Sequence, residues 1–509
     1  MVYLIIILTI ILLYLYGVRT FNYWKKKGVK HDSPWPYVGN NLSNFSQKCS
    51  IAMMATTAYY KYPNEKVVGF FRGTAPELVI RDPTLIKRVL ITDFQSFYAR
   101  GFNTHDTVIE PLMKNLFFAD GDLWRLIRQR FGQAFSTGRL KAMFHIITER
   151  AQKLQTIADE VANMEYYDMR ELMARYTTDF IGVCGFGLDM DSLNNEMSEF
   201  RKLGKRIFHR TVPDAINGAL KFMFPELCKN IHFLSRDLEN SFNYLIKTVL
   251  QNRNYKPSGK NDFIDLMLEF KKKGKIIVES LELKNYDGSP KLIELEMDDL
   301  LIAAQIFVFF GAGFETSSTT SSYTLHQLAY HMDYQKKVQE EIDTVLKKHD
   351  NKITYEAINE MAILEKAFYE AMRLYPAVGF LLRKCTASTY TFPEIGLTID
   401  KGVKVVIPTQ ALHRDEKYFE EPHKFNPDRF LDTKSMKSDV YLPFGDGPRA
   451  CVAARLGKML AMAGIVAVLQ KFTVEPCAIS KLEPLPDPMA VVSENFIGGL
   501  PLKLKKRTF

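Results

Sequence analysis

The segment PFGDGPRACVAARLG, residues 443–457, is the most informative stretch of the chain. Gly445 and Gly447 allow a tight loop, and Pro448 restricts the backbone before Cys451. The residues after Cys451 have a helical pattern, and a cysteine at the start of a helix lies near the positive end of the helix dipole, which favours the thiolate. The segment therefore predicts a loop that presents a thiolate. The alternative is a buried free cysteine that packs as a small hydrophobic residue.

The other cysteines lack such a context. The six cysteines lie at positions 49, 184, 228, 385, 451 and 477, without a CxxC pair or a spacing typical of structural zinc. This scatter favours a reducing environment for the main domain. Only Cys451 follows a Gly-Pro-Arg loop and precedes a helical pattern, so it is the cysteine that we expect to carry chemistry.

Composition excludes several classes of protein. The 509 residues suffice for a large domain, and 47% hydrophobic with 25% charged residues is typical of a folded chain rather than a disordered or polytopic membrane protein. The 67 basic and 58 acidic residues give a net charge of +9, which suits an anionic membrane surface or an acidic partner protein. Basic residues form only short runs, such as Lys271 to Lys273, and no nucleic-acid partner is predicted.

The N-terminus predicts a membrane anchor. Residues 2–18 carry no charge and are long enough to cross most of a bilayer as one transmembrane helix. A cleavable signal peptide is the alternative, but no basic residue precedes the apolar stretch and no small-residue cleavage site follows it. Arg19, Lys30 and the lysines at 25–27 follow, which places the remainder in the cytosol. We expect Trp24 at the membrane interface.

We divide the chain into a transmembrane signal anchor at 1–18, a basic, proline-containing linker at 19–38 and one domain at 39–509. Pro34 and Pro36 predict that the linker is a stiff hinge. Within the domain, helical spacing predicts helices at 140–157, 178–181, 242–250, 300–328 and 334–346. Strands are predicted at 67–71, 77–80 and 403–408, and a hairpin turn at 285–291. The pattern indicates a mainly α fold with a small β subdomain, of the α+β class.

The apolar run at 300–314 resembles a second membrane span. It is short for a span and is flanked by Asp298, Asp299 and Glu315, so we predict a helix buried in the protein core. Gly311 and Gly313 are expected to interrupt this helix, at about 1 kcal/mol each relative to alanine.

The segment at 443–457 resembles the haem-ligand signature FxxGxRxCxG of the cytochrome P450 family, with Phe444, Gly447, Arg449 and Cys451 in place. Ala453 stands where the family has a final glycine. The resemblance implies a cytochrome P450 fold that binds haem b, with Cys451 as the iron ligand and Phe444 beside the cofactor. It implies that Arg449 binds a haem propionate; otherwise it is a solvated surface arginine.

Further motifs of that family follow in order along nearly the whole chain. The segment WRLIR places Trp124 and Arg128 one helical turn apart, where both are expected to bind a propionate. Arg383 in GFLLRKC matches another propionate-binding position, and Arg100 is a weaker match. The remaining motif residues resemble the family's buried, structural Glu-Arg-Arg triad: Glu370, Arg373 and Arg429.

The segment AGFETS, residues 312–317, resembles the oxygen-binding groove of the P450 family. Ala312 then lies against the haem, and Glu315 with Thr316 organises the delivery of protons that cleaves the O–O bond. The alternative for Thr316 is an ordinary helical threonine that bonds its own backbone.

Three stretches resemble insect microsomal enzymes of P450 family 6: DFIGVCGFG, SEFRKLGKRIF and LLRKC. The resemblance implies a monooxygenase of the endoplasmic reticulum membrane, with one span and a cytosolic catalytic domain. NADPH would supply electrons through NADPH-cytochrome P450 reductase, with cytochrome b5 as a further candidate partner. The substrate would be lipophilic: a xenobiotic, plant toxin, insecticide or endogenous lipid. Candidate substrate-wall residues lie at 102–109, 207–224, 307, 310, 378–382 and 496.

Two other functions remain open. One keeps the haem but rearranges peroxides without electron input, which Glu315 and Thr316 argue against. The other is a haem- or ligand-binding protein without turnover. The segment KFMFP, residues 221–225, is a candidate for dipping into the membrane, with core packing as the alternative.

Overall fold

The computed structural model describes residues 1–103, 105, 108–189, 191–195, 198–208, 211–260, 262–430 and 439–508. The predicted class is confirmed: most of the described chain is helical, with small sheets beside the helices. Each predicted helix lies within an observed one, and the three predicted strands are present.

The α-helices are, in chain order, α1 (Val2–Val18), α2 (Tyr23–Lys26), α3 (Leu42–Phe45), α4 (Ile51–Lys61), α5 (Pro83–Lys87), α6 (Gly121–Ala134), α7 (Thr137–Val161), α8 (Met169–Ile181), α9 (Glu199–Phe208), α10 (Val212–Met223), α11 (Arg236–Asn252), α12 (Phe263–Lys272), α13 (Asp299–Tyr330), α14 (Met332–Lys348), α15 (Tyr355–Glu360), α16 (Ala362–Leu374), α17 (Thr409–Leu412) and α18 (Ala454–Lys471).

The strands are β1 (Val67–Arg72), β2 (Ala75–Ile80), β3 (Tyr167–Asp168), β4 (Ile276–Lys284), β5 (Pro290–Leu295), β6 (Leu381–Lys384), β7 (Thr389–Phe392), β8 (Leu397–Asp400), β9 (Lys404–Ile407), β10 (Phe472–Pro476) and β11 (Pro501–Lys506). They form a four-stranded sheet in the order β1-β2-β9-β6, a three-stranded sheet in the order β10-β11-β3, and the pairs β4-β5 and β7-β8. In the largest sheet β2 and β9 are parallel and the other pairs are antiparallel.

Helix α13 runs through the core and organises the helices around it. The side chain of Asp298 caps its first turn by accepting from the Leu301 N–H at 2.7 Å. It packs against α8, α16 and α18. It is long and apolar enough to cross a membrane, but 72% of its apolar window is buried inside the protein. The prediction of a core helix therefore holds.

The expected interruption of α13 at its glycines is wrong, because the helix is continuous from Asp299 to Tyr330. A Cβ atom built on Gly313 would lie 2.5 Å from Cδ1 of Ile181. The glycine therefore allows α8 to approach α13 closely, which offsets its low helix propensity.

The N-terminal helix α1 is apolar and almost wholly exposed, in agreement with its sequence pattern. The next segment is not a free linker, since Trp24 is fully buried and donates its indole N–H to the Phe70 carbonyl at 3.0 Å. The expectation that Trp24 lies at a membrane interface is therefore wrong. Its ring occupies the space above Gly69, where a Cβ atom would lie 2.6 Å from the indole.

The hairpin predicted around residues 285–291 is confirmed. It joins β4 to β5, with Gly288 at a φ of +83°. Its strands pack against the start of α6, where Asp122 accepts hydrogen bonds from the Ser280 hydroxyl at 2.5 Å and the Leu281 N–H at 2.6 Å. The hairpin thereby helps to position α6, the helix that carries Trp124.

Candidate active site

The loop around Cys451 is held by its own backbone. The Cys451 N–H donates to the Phe444 carbonyl at 2.8 Å, and the Ala450 N–H donates to the Gly447 carbonyl at 2.9 Å. Cys451 does not itself open the helix, since α18 begins at Ala454 with Ala453 as its N-cap. Ala453 has a φ of −102°, so a side chain at this position causes no backbone strain.

Position 447 requires a glycine for two reasons: its backbone torsion, and the lack of room for a side chain. Gly445 and Gly447 both have a φ of +70°, but a Cβ atom on Gly447 would lie 1.9 Å from the Leu90 carbonyl oxygen, whereas one on Gly445 has its nearest neighbour at 3.7 Å. Of these two glycines, Gly447 is the one that combines a left-handed backbone with a close approach to another segment.

We expect Gly447→Ala to destabilise the protein more than Gly445→Ala. The control carries only the torsional cost, about 1 kcal/mol, whereas Gly447→Ala must also displace the Leu90 backbone, for a total of about 2–4 kcal/mol. Urea unfolding of the two variants measures the difference. Equal losses of stability would contradict a role for the Leu90 contact.

The thiol of Cys451 is exposed to solvent, although protein surrounds the loop closely. Burial raises the pKa of the Cys451 thiol, and the Ala453 N–H together with Arg128 and Arg100 opposes that rise. The predicted thiolate at Cys451 therefore stays a prediction, supported by the Ala453 N–H and by the two arginines. A metal ion bound at the sulfur would favour the thiolate further.

Four arginines form a cationic cluster beside Cys451: Arg100, Arg128, Arg383 and Arg449. Their guanidinium groups interact electrostatically with one another, and burial lowers the pKa of Arg100 to about 10 and that of Arg383 to about 9. Arg449 donates to the carbonyls of Tyr98 at 2.8 Å and Ala119 at 2.9 Å, and lies 4.2 Å from the centre of the Trp124 ring.

Asp120 is the acidic member of the cluster, and no sequence motif singled it out. Its carboxylate pairs with Arg449 at 3.1 Å and accepts the backbone N–H groups of Arg100 at 2.7 Å and Gly101 at 2.9 Å. Four guanidinium groups and one carboxylate leave three excess positive charges. A buried excess of this size favours an anionic ligand.

Several donors in the cluster have no protein partner. The Nε atom of Arg383 is buried without a hydrogen bond, and neither the Arg128 guanidinium nor the Trp124 indole N–H bonds to any residue in the described ranges. Unsatisfied donors beside a cysteine fit haem b, whose two propionates accept hydrogen bonds and whose iron binds a thiolate. The residues present therefore fit the cofactor.

Helix α13 contributes an accessible stripe on the same side of the core. Ala312 is exposed and Gly313 and Thr316 are partly exposed, while their neighbours Phe314 and Glu315 are buried. The stripe adjoins the cysteine segment, because a Cβ atom on Gly457 of α18 would lie 3.7 Å from the Ser317 hydroxyl. The Thr316 hydroxyl donates to the Ala312 carbonyl at 2.7 Å.

The carboxylate of Glu315 points elsewhere. It pairs with the guanidinium of Arg170 at the start of α8, and both side chains are largely buried. Glu315 is thus next to Thr316 in sequence, but its carboxylate is held in an ion pair by Arg170 of α8. The sequence did not single out Arg170, since a lone arginine at a helix start has no distinguishing pattern.

The three residues of the expected buried network are in contact. Arg373 donates from Nε and Nη2 to the two carboxylate oxygens of Glu370, both at 2.8 Å, and Arg429 reaches Glu370 at 3.3 Å. Glu370 and Arg373 are completely buried. Arg373 also donates to three carbonyl groups in the segment before Arg429, those of His413, Pro422 and Lys424.

The candidate substrate-wall residues fall into different environments. Phe310 is fully buried among Phe186, Phe200 and Phe242, and Phe307 packs on Phe242, so both belong to the aromatic core. Phe496 packs on Tyr323. Residues 104, 106, 107, 209 and 210 lie outside the described residues, so the proposed walls at 102–109 and 207–224 are described only in part.

Comparison with known proteins decides the family. The family model for cytochrome P450 matches residues 30–496. The chain belongs to the cytochrome P450 family. It is similar to cytochrome P450 6B7 of Helicoverpa armigera, with 37% identity over 92% of this chain and 91% of the relative. It is also similar to cytochrome P450 6a2 of Drosophila melanogaster, with 35% identity over 99% of both chains, and to cytochrome P450 6B1 of Papilio polyxenes, with 36% identity over the full length of both.

These relatives are insect enzymes of P450 family 6, as the sequence motifs predicted. The chain is therefore a cytochrome P450 monooxygenase, and the family implies a haem cofactor.

Proposed function

We propose that this P450 inserts one oxygen atom of O2 into a lipophilic small molecule, with electrons from NADPH delivered by NADPH-cytochrome P450 reductase. The observation that carries the proposal is the accessible Cys451 beside a cluster of four arginines with unsatisfied donors. Cytochrome b5 is a second candidate electron donor, and xenobiotics are the substrate class suggested by likeness to family 6.

When bound, haem would supply an iron that activates dioxygen, and Cys451 would be its thiolate ligand. The Trp124 indole N–H would donate a hydrogen bond to one propionate. Four arginines would neutralise the propionates: Arg100, Arg128, Arg383 and Arg449. Glu370, Arg373 and Arg429 fix the segment before the cysteine loop. The arginines and Trp124 would thus bind the haem, whereas the Glu-Arg-Arg network positions the segment before the cysteine loop.

Proton handling falls to α13. Thr316 presents a hydroxyl on the accessible stripe, where it is free to exchange its bond to Ala312 for one to a water molecule or to substrate. Glu315 holds a proton-accepting carboxylate one residue away, restrained by Arg170. We infer that Glu315 takes part in proton delivery only when its pairing with Arg170 loosens.

A membrane location rests on apolar surface near the N-terminus. Helix α1 is exposed and apolar, and the Tyr37 hydroxyl donates to the Leu13 carbonyl. The Tyr37 ring lies 5.8 Å from Phe224, which follows α10. We propose one membrane span at residues 1–18 in the endoplasmic reticulum, with the domain at 39–509 in the cytosol after the linker at 19–38. Lys221 is not a membrane contact, because it is buried in an ion pair with Glu110 at 2.9 Å.

The test is turnover with the haem-loaded protein, reductase, NADPH and isotopically labelled O2. We expect labelled oxygen in a lipophilic product and dependence on both NADPH and reductase. Product formation from an organic hydroperoxide alone, with none from NADPH, would favour peroxide rearrangement instead. Binding of lipophilic compounds without any product under either condition would leave a ligand-binding protein.

A further inference from the structure

The four-stranded sheet carries a charged row across one face. In register, Phe70 on β1 faces Glu77 on β2, Glu77 faces Lys404 on β9, and Lys404 faces Lys384 on β6. Partners in register on adjacent strands point to the same side of a sheet, so these four side chains form one line. The adjoining row on this face is apolar: Val68, Val79, Val406 and Leu382.

The row has a net positive end. Arg72, two residues after Phe70 on the same face, pairs with Glu77 at 2.6 Å, and both side chains are buried. This pair is internally neutral. Lys404 then adds one positive charge on the next strand, and the like charge of Lys384 on β6 acts on it unfavourably.

Lys404 is a cation without a protein anion. Its ammonium group forms no hydrogen bond or ion pair with any residue that the structure describes, and Nζ lies 5.3 Å from the centre of the Phe222 ring of α10. Burial lowers the pKa of Lys404 to about 8, Glu77 opposes this, and Arg72 and Lys384 add to it. Its side chain is nevertheless partly accessible to solvent. The Lys404 side chain therefore lies in a cleft that protein surrounds and solvent still reaches.

The surroundings of the cleft are apolar and accessible. Phe70, Phe222 and Leu382 are each partly exposed around Lys404. Asp120, the acidic member of the cationic cluster, interacts electrostatically with Lys404, so the cleft lies close to the active site. A second charged group lies nearby: Lys221, the residue before Phe222. Asp120 is engaged by Arg449, and Lys221 by Glu110.

We propose that this cleft binds amphipathic monoanions, with a carboxylate at Lys404 and the hydrocarbon chain against Phe70, Phe222 and Leu382. The inference rests on the proposed function and narrows its substrate class to lipophilic carboxylates. A neutral compound of equal length lacks the charge interaction with Lys404 and binds only through its hydrocarbon chain.

The first test measures binding rather than turnover. Calorimetric titration of the haem-loaded protein with dodecanoate and with dodecan-1-ol compares wild type, Lys404→Met and the matched control Lys401→Met, which removes an exposed lysine from the turn before β9. We expect Lys404→Met to weaken dodecanoate binding by about 10- to 100-fold, the range of a hydrogen bond to a charged group. Dodecan-1-ol binding should stay the same in all three. Equal dodecanoate affinities in the two variants overturn the proposal.

The second test uses pH. Because the free Lys404 ammonium loses its proton above a pKa of about 8, dodecanoate affinity in the wild type should fall as pH rises from about 7 to about 9.5. Lys404→Arg, whose side chain stays charged, should keep its affinity over that range. A parallel fall in both proteins would overturn the assignment to Lys404.

Two controls test whether Lys404 binds a free carboxylate, contributes to the haem site or binds a lipid headgroup. Haem content and the reduced, carbon monoxide-bound spectrum are measured on every preparation, so failure of the haem-thiolate assignment shows independently of dodecanoate binding. If Lys404→Met loses haem, Lys404 belongs to the cofactor site and the proposal fails. It also fails if the variant binds phosphatidylserine-containing vesicles less tightly while its dodecanoate affinity is unchanged, because the anion is then a lipid headgroup.

Discussion

Cys451→Ser should remove the red-shifted Soret band of the reduced, carbon monoxide-bound protein and reduce turnover to background. Serine retains the size of the side chain and can accept the Ala453 N–H that now bonds the Cys451 sulfur. Its hydroxyl does not ionise at neutral pH and is a poor ligand for haem iron. The measurements are the absorbance spectrum, the haem content and NADPH-dependent product formation.

The matched control is Cys477→Ser. Its sulfur lies 3.2 Å from the Ser480 hydroxyl, far along the chain in a polar and partly exposed setting, so serine should be accepted there. We expect the control to keep the band and the activity. A folded, haem-loaded Cys451→Ser protein that retained both would disprove the ligand assignment.

The features that could be predicted from the sequence share a local cause. Helices and strands follow from hydrophobic periodicity, and the 285–291 hairpin follows from Asp287-Gly288, whose torsions are set within a few residues. The resemblance to the P450 family added a list of site residues, and the structure brings Arg100, Arg128, Arg383 and Arg449 together from four separate segments.

The predictions that failed depend on tertiary packing. The continuity of α13 depends on Ile181 of α8, which fills the space beside Gly313, and no pattern in α13 encodes that contact. The burial of Trp24 depends on Gly69 in β1. Asp120 and Arg170 were missed because a single charged residue acquires its meaning only from its partner, Arg449 in one case and Glu315 in the other.

The thiolate prediction at Cys451 depends on a balance of opposing energies. A helix end stabilises an anion by about 0.3–1 kcal/mol, which is small beside the cost of burying a charge. The raised pKa of Cys451 reflects the second effect, which sequence does not reveal. The four arginines then have a double role, since they attract anionic groups and oppose the rise of the Cys451 pKa.

Glu370→Gln should destabilise the fold by about 3–5 kcal/mol, because it leaves the fully buried Arg373 guanidinium without its carboxylate. The amide keeps the shape and one acceptor but removes the charge. Thermal unfolding and haem content after purification measure the effect, and we expect a large fall in both.

The matched control lies on the same helix. Glu365→Gln breaks an ion pair with Lys458 at 2.5 Å, but both side chains are partly exposed, so the loss should stay within about 1 kcal/mol. Arg429→Lys should fall between the two, since Arg429 is less buried and meets Glu370 at 3.3 Å. This order of stability losses tests whether the burial of the ion pair, rather than the number of charges removed, determines the effect. If Glu365→Gln were as damaging as Glu370→Gln, the special role of the buried network would be refuted, because both changes remove one carboxylate from α16.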